Sequence, residues 1–318
     1  MKNLIVSTSP HLHTSVTTQS IMRDVLIALT PAWIASVVLF GLRALLNIVL
    51  CVGVCLLSEF LFNLITKKKQ TISDLSACVT GLLLALSLPA GAGVWPCIVG
   101  SVFAIIVVKC LFGGIGCNFA NPAVTARVLL LSSFGMTVGG GTATVFQDAE
   151  LVAGATPLVS INAGITENLP SILEMLVGNR AGAVGETCII ALVLGGIYLI
   201  VRKVINWETP AVLLGTVFIL SLIIKQDISV ALYEILGGGV VLGAFFMATD
   251  YSTTPINKLG KIVFAFGCGV LTIIFRFFSS MPEGISYAIL IMNILSPYVE
   301  KLCAKKPLGK AGKANEEK

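Results

Sequence analysis

Long apolar runs that recur along almost the whole chain constrain its fold more than any other feature. Ten such runs, each with few charges, lie at residues 25–42, 44–65, 75–88, 94–112, 119–134, 186–201, 210–224, 235–248, 262–278 and 285–300. A helix needs about 20 apolar residues to cross about 30 Å of hydrocarbon, so the shorter runs must borrow flanking residues, tilt or form broken helices inside a bundle. We predict an all-α polytopic membrane protein with about ten transmembrane helices.

The composition agrees with a membrane as the solvent for most of the chain. Hydrophobic residues make up 56% of the sequence and charged residues 12%, with a mean hydropathy of +0.96, whereas an ordinary soluble domain is about 45–50% apolar. The net charge of +5 does not indicate nucleic acid, because Lys and Arg lie between apolar runs rather than on a basic face with interleaved aromatic residues. We predict one transmembrane domain at 25–300, between an N-terminal segment at 1–24 and a basic tail at 301–318.

Basic residues are unevenly distributed among the connections. If the N-terminus is cytoplasmic, the cytoplasmic connections contain Lys67, Lys68, Lys69, Arg202, Lys203, Lys258 and Lys261. The opposite side holds little more than Arg43, Arg180, Lys225 and Arg276. Lys and Arg accumulate on the cytoplasmic side of membrane proteins. We therefore expect a multi-pass protein of the cytoplasmic membrane of a bacterium or archaeon. Both termini should lie in the cytoplasm, and the long connection at 135–185 should lie on the extracytoplasmic side.

The long connection divides the runs into two sets of five. An odd number of spans in each set would place two related halves in opposite orientations, as two inverted five-helix repeats. Inverted repeats are common in transporters. A channel or a secondary transporter is therefore one interpretation of the function.

One threonine of the long connection is a candidate for modification. Ala153, Gly154 and Ala155 are small and should leave the hydroxyl of Thr156 uncrowded. Pro157 biases the backbone of Thr156 toward an extended conformation and away from helix. A bulky group could then reach the hydroxyl. An ordinary loop with a Gly-Ala turn is the other interpretation of these residues.

Two amides lie at a glycine-rich entry to the fifth run. Asn118 and Asn121 are three residues apart, so both can point from one helix face into the bundle. Buried amides need hydrogen-bond partners. Helix capping, with a packing bend at Pro122, is one interpretation of this pair.

Among the charged residues within or near the ends of apolar runs, three are candidates for a functional role. Arg127 is in the middle of its run, where a charge costs ~2.5–3.5 kcal/mol on insertion scales, so it should face protein, a cofactor or water. Glu59 in the second run and Asp250 at the end of the eighth are negatively charged, and they too should face protein, a cofactor or water rather than lipid. Each carboxylate fits either a structural ion pair or a contact for a translocated cation, which would be part of an ion path.

Several segments together carry a resemblance to a known family. They are Gly154-Ala155-Thr156 followed by Pro-Leu, residues 73–81 (SDLSACVTG), 113–123 (GGIGCNFANPA), 246–255 (FMATDYSTTP) and 282–293 (PEGISYAILIMN). The chain resembles RnfD, the D subunit of the Rnf electron-transport complex. It is also similar to the B subunit of the Na+-translocating NADH:quinone oxidoreductase, in the same superfamily. The short chain and brief N-terminal segment favour the Rnf protein, and the quinone reductase protein remains an alternative.

The resemblance implies a covalent flavin at Thr156. In these families the last threonine of a Ser/Thr-Gly-Ala-Thr motif receives FMN through a phosphoester, installed by a dedicated flavin transferase. Gly154 and Ala155 match this motif, so they are candidate cofactor-binding residues. Ala153 departs from it, because the motif has Ser or Thr there.

The resemblance also implies a second flavin, riboflavin, held without a covalent bond. Its polar ring edge would satisfy the amides of Asn118 and Asn121, and we add Arg127 to the candidate cofactor-binding residues. A channel or secondary transporter, in contrast, would contain no flavin. Measuring the flavin that can be extracted and the flavin that resists denaturation therefore distinguishes a flavin-carrying subunit from a channel or transporter.

The implied function is electron relay in an ion-translocating ferredoxin:NAD+ oxidoreductase complex that moves Na+ or H+. The chain contains no G-x-G-x-x-G motif after a strand, no Walker A motif and no iron–sulfur cysteine spacing. We therefore expect iron–sulfur, NAD-binding and second flavin-bearing subunits as partners, and no activity of this chain alone. The nine cysteines include no CxxC pair and no Cys/His cluster, so we predict buried thiols and no metal site. Cys51 and Cys55 share a helix face at i, i+4 spacing, and a metal or redox role is the alternative for that pair.

Overall fold

The computed structural model describes residues 16–145, 153–154, 156–162, 170–279 and 284–304. Within these ranges the chain is built of helices joined by short connections, with one small sheet. The sheet pairs β1 (Gly141–Thr142) with β2 (Ala153–Gly154) in antiparallel register. It lies within the long connection, so the bundle itself is all-α.

The first half of the bundle contains five helical segments. They are α1 (Thr18–Phe40), α2 (Leu42–Ile65), α3 (Ser76–Ser87), α4 (Val94–Val102), which continues as a π-helix at Phe103–Cys110, and α5 (Pro122–Ser133). Thr17 caps α1 by accepting a hydrogen bond from Ser20. Gly41 separates α1 from α2 at φ 68° and ψ −154°, a conformation that glycine adopts without strain. A 3₁₀ turn at Ile72–Asp74 precedes α3.

The long connection contains three short helices. They are α6 (Gly135–Val138), α7 (Pro157–Asn162) and α8 (Ile172–Val177). Ser171 and Glu174 form a reciprocal capping box at the start of α8, in which each side chain bonds the backbone N–H of the other. The connection is therefore partly helical and is joined to itself by the β1–β2 pair.

The second half again contains five helical segments. They are α9 (Ile189–Val201), α10 (Glu208–Lys225), α11 (Ile228–Leu236) with α12 (Val240–Leu242) and a π-helix at Gly243–Met247, α13 (Lys258–Phe278), and α14 (Ile285–Cys303). The third segment is bent by 60° between α11 and α12. Gly239 has φ 68° at this bend, so the backbone leaves the helical conformation there.

The lengths of these helices support a polytopic membrane protein. Among the described residues, α1, α2, α10 and α13 are long and apolar enough to cross a membrane, and the bent α11–α12 segment would be a fifth such span. Shorter apolar helices lie at Ser76–Ser87, Val94–Cys110, Pro122–Ser133 and Ile189–Val201. The predicted class is confirmed. The count of ten spans and the inverted repeats stay predictions.

Backbone hydrogen bonds join several connections at one end of the bundle. The N–H of Val145 donates to the carbonyl of Leu39 at 2.9 Å, which ties the long connection to the end of α1. The N–H of Val184 donates to the carbonyl of Leu88, also at 2.9 Å, and ties it to the end of α3. The connections after α1, α3 and α5 therefore meet at the same end, which we call the Thr156 end.

The intervening connections meet at the other end. Asn118, before α5, donates from Nδ2 to Ser252 Oγ at 3.1 Å, and the hydroxyl of Tyr251 donates to the carbonyl of Val204 after α9. The connections before α5, after α9 and after the second π-helix are thus joined at this end. Which end faces the cytoplasm stays a prediction.

Candidate functional site

A cavity of about 500 Å³ opens at the end opposite Thr156. Most of its wall is apolar, with Val79, Leu83, Phe245 and Phe246 among the lining residues. Its polar lining includes Ser76, Lys109, Asn118, Asn121, Asp250 and Glu300. Small-molecule sites typically have volumes of about 300–1,000 Å³ and combine apolar walls with a few convergent polar groups. The cavity therefore has the size and chemistry of a cofactor site.

Asn118 reaches the cavity from the connection before α5. Its Nδ2 donates to the carbonyl of Ala120 at 3.3 Å and to Ser252 Oγ at 3.1 Å. Its Oδ1 accepts no hydrogen bond from the described part of the chain. Because Asn118 lines the cavity, this oxygen is the amide atom that could accept a hydrogen bond from a ligand.

Asn121 has a different local role, because it is the N-cap of α5. Its Oδ1 accepts from the backbone N–H of Ala123 at 3.0 Å, and its Nδ2 donates to the carbonyl of Met247 at 3.3 Å. The capping interpretation is confirmed for this residue. The expectation that both amides project from one helix face is wrong, since α5 begins only at Pro122. The two amides converge on the cavity from the loop and the helix start.

Asp250 follows the second π-helix and lines the cavity. Its Oδ2 accepts hydrogen bonds from the hydroxyls of Ser252 at 3.0 Å and Thr253 at 3.1 Å. Burial raises the pKa of the Asp250 carboxyl, and these hydroxyl contacts oppose that rise. No cationic side chain among the described residues forms an ion pair with it. For Asp250, the structural ion-pair interpretation is therefore not supported.

Glu59 forms a buried ion pair with a lysine that the sequence pattern did not single out. Glu59 Oε1 lies 2.9 Å from Lys109 Nζ, and the two side chains are 1% and 3% exposed. Thr71 Oγ1 also donates to Glu59 Oε1, at 2.6 Å. The structural ion-pair interpretation is confirmed for Glu59. In the sequence, Lys109 can be recognised only as a lone charge inside the apolar run at 94–112.

Arg127 lies away from the cavity lining. It is 1% exposed, and its Nη1 donates to the carbonyl of Val138 at 3.2 Å. The expectation that it faces protein, a cofactor or water rather than lipid is confirmed, and among the described residues it is protein that it contacts. The contact with Val138 joins Arg127 to the long connection and not to the cavity. The role of Arg127 in holding a cofactor therefore stays a prediction.

Thr156 immediately precedes α7 at the other end of the bundle. It is 9% exposed, and its Oγ1 is buried without a hydrogen-bond partner in the part of the chain that the structure describes. The expectation of an uncrowded hydroxyl is therefore wrong for this arrangement of the connection. The hydroxyl is not engaged in a hydrogen bond to any described residue. Gly154 lies opposite Gly141 in the β1–β2 pair, and Ala155 lies outside the described residues.

A second buried ion pair, also not singled out by the sequence pattern, lies near the bend between α11 and α12. Arg276 Nη1 is 2.7 Å from Glu234 Oε2, with both side chains 0% exposed. Arg276 also donates to the carbonyl of Gly237 at 3.0 Å, and Arg180 donates to the carbonyl of Leu236 at 2.7 Å. Burial lowers the pKa of the Arg180 guanidinium to about 10. The two guanidinium groups satisfy carbonyls that the bend releases from helical bonding.

Comparison with known proteins places the chain in a family. The sequence profile of the NQR2, RnfD, RnfE family matches residues 5–309. The chain belongs to the NQR2, RnfD, RnfE family. The match includes the cavity residues, Thr156 and both buried ion pairs. The family match thereby extends over nearly the full length of the chain.

Individual members of the NQR2, RnfD, RnfE family are similar over nearly their whole lengths. The D subunit of the Na+-translocating ferredoxin:NAD+ oxidoreductase complex of Acetobacterium woodii is 43% identical over 310 residues, covering 96% of each chain. The D subunit of the proton-translocating ferredoxin:NAD+ oxidoreductase complex of Clostridium ljungdahlii is 36% identical, covering 94% of this chain and 95% of that one. The D subunit of the ion-translocating oxidoreductase complex of Alcanivorax borkumensis is 34% identical, covering 94% of each. The predicted resemblance to RnfD is confirmed.

Proposed function

We propose that this chain is the flavin-carrying D subunit, RnfD, in the membrane part of an ion-translocating ferredoxin:NAD+ oxidoreductase complex. Membership of the family and the names of the three relatives support the complex. The observation that carries the flavin is the cavity of about 500 Å³ lined by Asn118 and Asn121. Its partners are then the iron–sulfur, NAD-binding and second flavin-bearing subunits. One relative is named for Na+ and another for protons, so family membership leaves the ion open.

The cavity would hold a noncovalent riboflavin. A bound flavin supplies electron-transfer chemistry, and the protein supplies position and electrostatics. Phe245 and Phe246 provide apolar wall against which a flat ring system can pack. Asn118 Oδ1 can accept a hydrogen bond from the polar edge of the ring, and Lys109 can donate one. Asn121 contributes chiefly by fixing the start of α5.

Thr156 would carry FMN through a phosphoester at Oγ1, attached by a flavin transferase. Its hydroxyl makes no hydrogen bond to any described residue, so attachment would break none of those contacts. The small residues Gly154 and Ala155 precede it as in the family's motif. Because the hydroxyl is enclosed, the connection must be open when the transferase acts. Attachment therefore precedes the final packing of α7.

The two proposed flavin sites lie at opposite ends of the bundle. Thr156 belongs to the connections that meet near Leu39 and Leu88, whereas the cavity is formed by the connections at the other end. With the basic connections in the cytoplasm, the cavity faces inward and Thr156 outward. Electrons relayed between the two sites would then cross the membrane. Asp250, which has no ion-pair partner among the described residues, is a candidate contact for the translocated cation.

The attachment site is tested by Thr156→Val, which removes the hydroxyl and nearly keeps the shape. The variant and the wild type are purified from a host that also makes the flavin transferase, then denatured and separated on a gel. Flavin fluorescence should stay with the wild-type band and disappear from the variant. Thr187→Val is the matched control, because Thr187 Oγ1 is also buried without a partner in the described part of the chain. That variant should retain the fluorescence.

Two results would contradict the proposal in different ways. Wild-type fluorescence in Thr156→Val would show that the flavin is attached elsewhere. Absence of covalent and of extractable flavin from the wild type would favour a channel or secondary transporter.

A further inference from the structure

Lys109 lies between a carboxylate and the cavity. It belongs to the π-helix after α4, and its Nζ contacts Glu59 Oε1 at 2.9 Å and donates to Ser76 Oγ. Lys109 and Ser76 line the cavity, whereas Glu59 does not. The ammonium group therefore has its counterion on one side and the ligand space on the other. Its flexible four-carbon stem allows the charge to move between them.

Glu59 depends on Lys109 for charge compensation. Its Oε1 receives hydrogen bonds from Lys109 and from Thr71, while its Oε2 is buried without a partner among the described residues. A buried carboxylate that loses its counterion is strongly destabilised, and it either binds a proton or takes another cation. Withdrawal of Lys109 would therefore turn Glu59 into a cation-binding group.

We propose that Lys109 is a redox-dependent counterion that couples charge in the cavity to cation uptake at Glu59. This inference rests on the proposed noncovalent flavin. Lys109 leaves Glu59 for the negative charge that one electron adds to the cavity ligand. The electron comes from a reduced iron–sulfur centre in a partner protein of the complex. Glu59 then takes up one proton or one Na+ from water, so one electron and one cation enter together. Loss of the electron returns Lys109 to Glu59 and releases the cation.

Other charged and titratable groups surround the pair. They are Cys55 on α2, Lys68 and Asp74 in the connection before α3, Cys78 on α3, and Cys110 beside Lys109, with Asp250 and Glu300 facing the cavity from other elements. Asp74 is already engaged, since its Oδ1 accepts from the backbone N–H and the hydroxyl of Ser76. Glu59 is distinguished from these carboxylates by its direct contact with Lys109.

The test measures the midpoint potential of the noncovalent flavin in the whole complex, purified in detergent, by spectroelectrochemical titration. The potential is recorded against pH at fixed Na+ and against Na+ at fixed pH. Uptake of one cation per electron predicts a shift of about 59 mV per tenfold change in that cation. The arm whose shift is lost when Glu59 is replaced identifies the cation as a proton or as Na+.

Two variants test whether Lys109 and Glu59, rather than the neighbouring charged groups, cause the cation dependence of the potential. Glu59→Gln should bind the flavin and lose the cation dependence. The double variant Glu59→Gln/Lys109→Met removes both charges together, leaves no buried unpaired charge, and should also lose the dependence. Glu208→Gln is the control, because Glu208 pairs with the exposed Lys258 at 3.5 Å and neither residue lines the cavity. It should keep the wild-type slope.

The outcomes distinguish this inference from the proposed function. A complex that binds noncovalent flavin and keeps its full cation dependence in both Glu59 variants overturns the role of Lys109 and Glu59 alone. Wild-type complex with a potential independent of both cations does the same. Wild-type complex without noncovalent flavin overturns the proposed cavity ligand, and this inference with it.

Discussion

Replacing Asn118 by leucine should weaken riboflavin binding while leaving the bundle folded. The substitution removes Oδ1, the amide atom that accepts no hydrogen bond from the described residues, and places an apolar side chain in the cavity. Loss of a buried hydrogen bond costs ~1–3 kcal/mol, which corresponds to about 5- to 150-fold weaker binding. The lost protein contacts are two hydrogen bonds from Nδ2, at 3.3 and 3.1 Å. At ~0.5–1.5 kcal/mol each, they predict a modest fall in stability.

Asn121 provides the comparison, because its side chain caps α5. Asn121→Leu removes that cap, which alone costs ~0.5–2 kcal/mol, together with the bond to the carbonyl of Met247. This variant should lose stability first and riboflavin only in proportion to unfolded protein. Asn121→Ser can still accept from the backbone N–H groups of α5 and should recover much of the stability.

The assay is extractable riboflavin per mole of detergent-purified protein, measured over a range of added riboflavin and alongside thermal unfolding. Asn118→Leu should show a shifted binding curve at nearly unchanged unfolding temperature. Covalent flavin at Thr156 should be unaffected and serves as the internal reference. An unshifted binding curve for Asn118→Leu would refute the assignment of the cavity to riboflavin.

Two further predictions concern topology and stability. A reporter fused after Lys306 should be active only in the cytoplasm, and one inserted in the long connection only outside it; activity of the first reporter on the outer face would contradict the ten-span arrangement. Arg276→Met leaves Glu234 buried without its counterion and should lower the free energy of unfolding by ~3–5 kcal/mol. Adding Glu234→Leu should recover most of that loss in the same unfolding assay, whereas an additive effect of the two substitutions would contradict the pairing.

The positions of most helices follow from sequence, because hydropathy and helix breakers act locally. The run at 75–88 corresponds to α3 at Ser76–Ser87, which ends before Pro89. The run at 25–42 begins seven residues after α1 does, since the first turns of α1 are polar and are started by the Thr17 cap. The run at 235–248 was expected as one segment, but the chain bends at Gly237–Gly239. The glycines were visible, whereas the direction of the bend depends on tertiary contacts.

The candidate site was predictable only in part. Asn118, Asn121 and Asp250 could be singled out because isolated polar groups in an apolar chain require partners. Lys109 could not be assigned in the same way, because its counterion Glu59 is 50 residues away and only the packing of α2 against the segment after α4 brings them together. The enclosure of Thr156 was missed for a similar reason, since Leu158 of α7 approaches Gly237, which lies in the distant bend between α11 and α12.

The two buried ion pairs have a consequence for how the chain enters the membrane during synthesis. In each pair the acid is made first, with Glu59 preceding Lys109 by 50 residues and Glu234 preceding Arg276 by 42. A lone charge at the centre of a span costs ~2.5–3.5 kcal/mol on insertion scales. We expect α2 and α11 to remain beside the insertion machinery until the segments carrying their bases emerge. Each half of the protein would then integrate as a group of spans. If translation stopped after the acid of a pair but before its base, the chain would be poorly inserted.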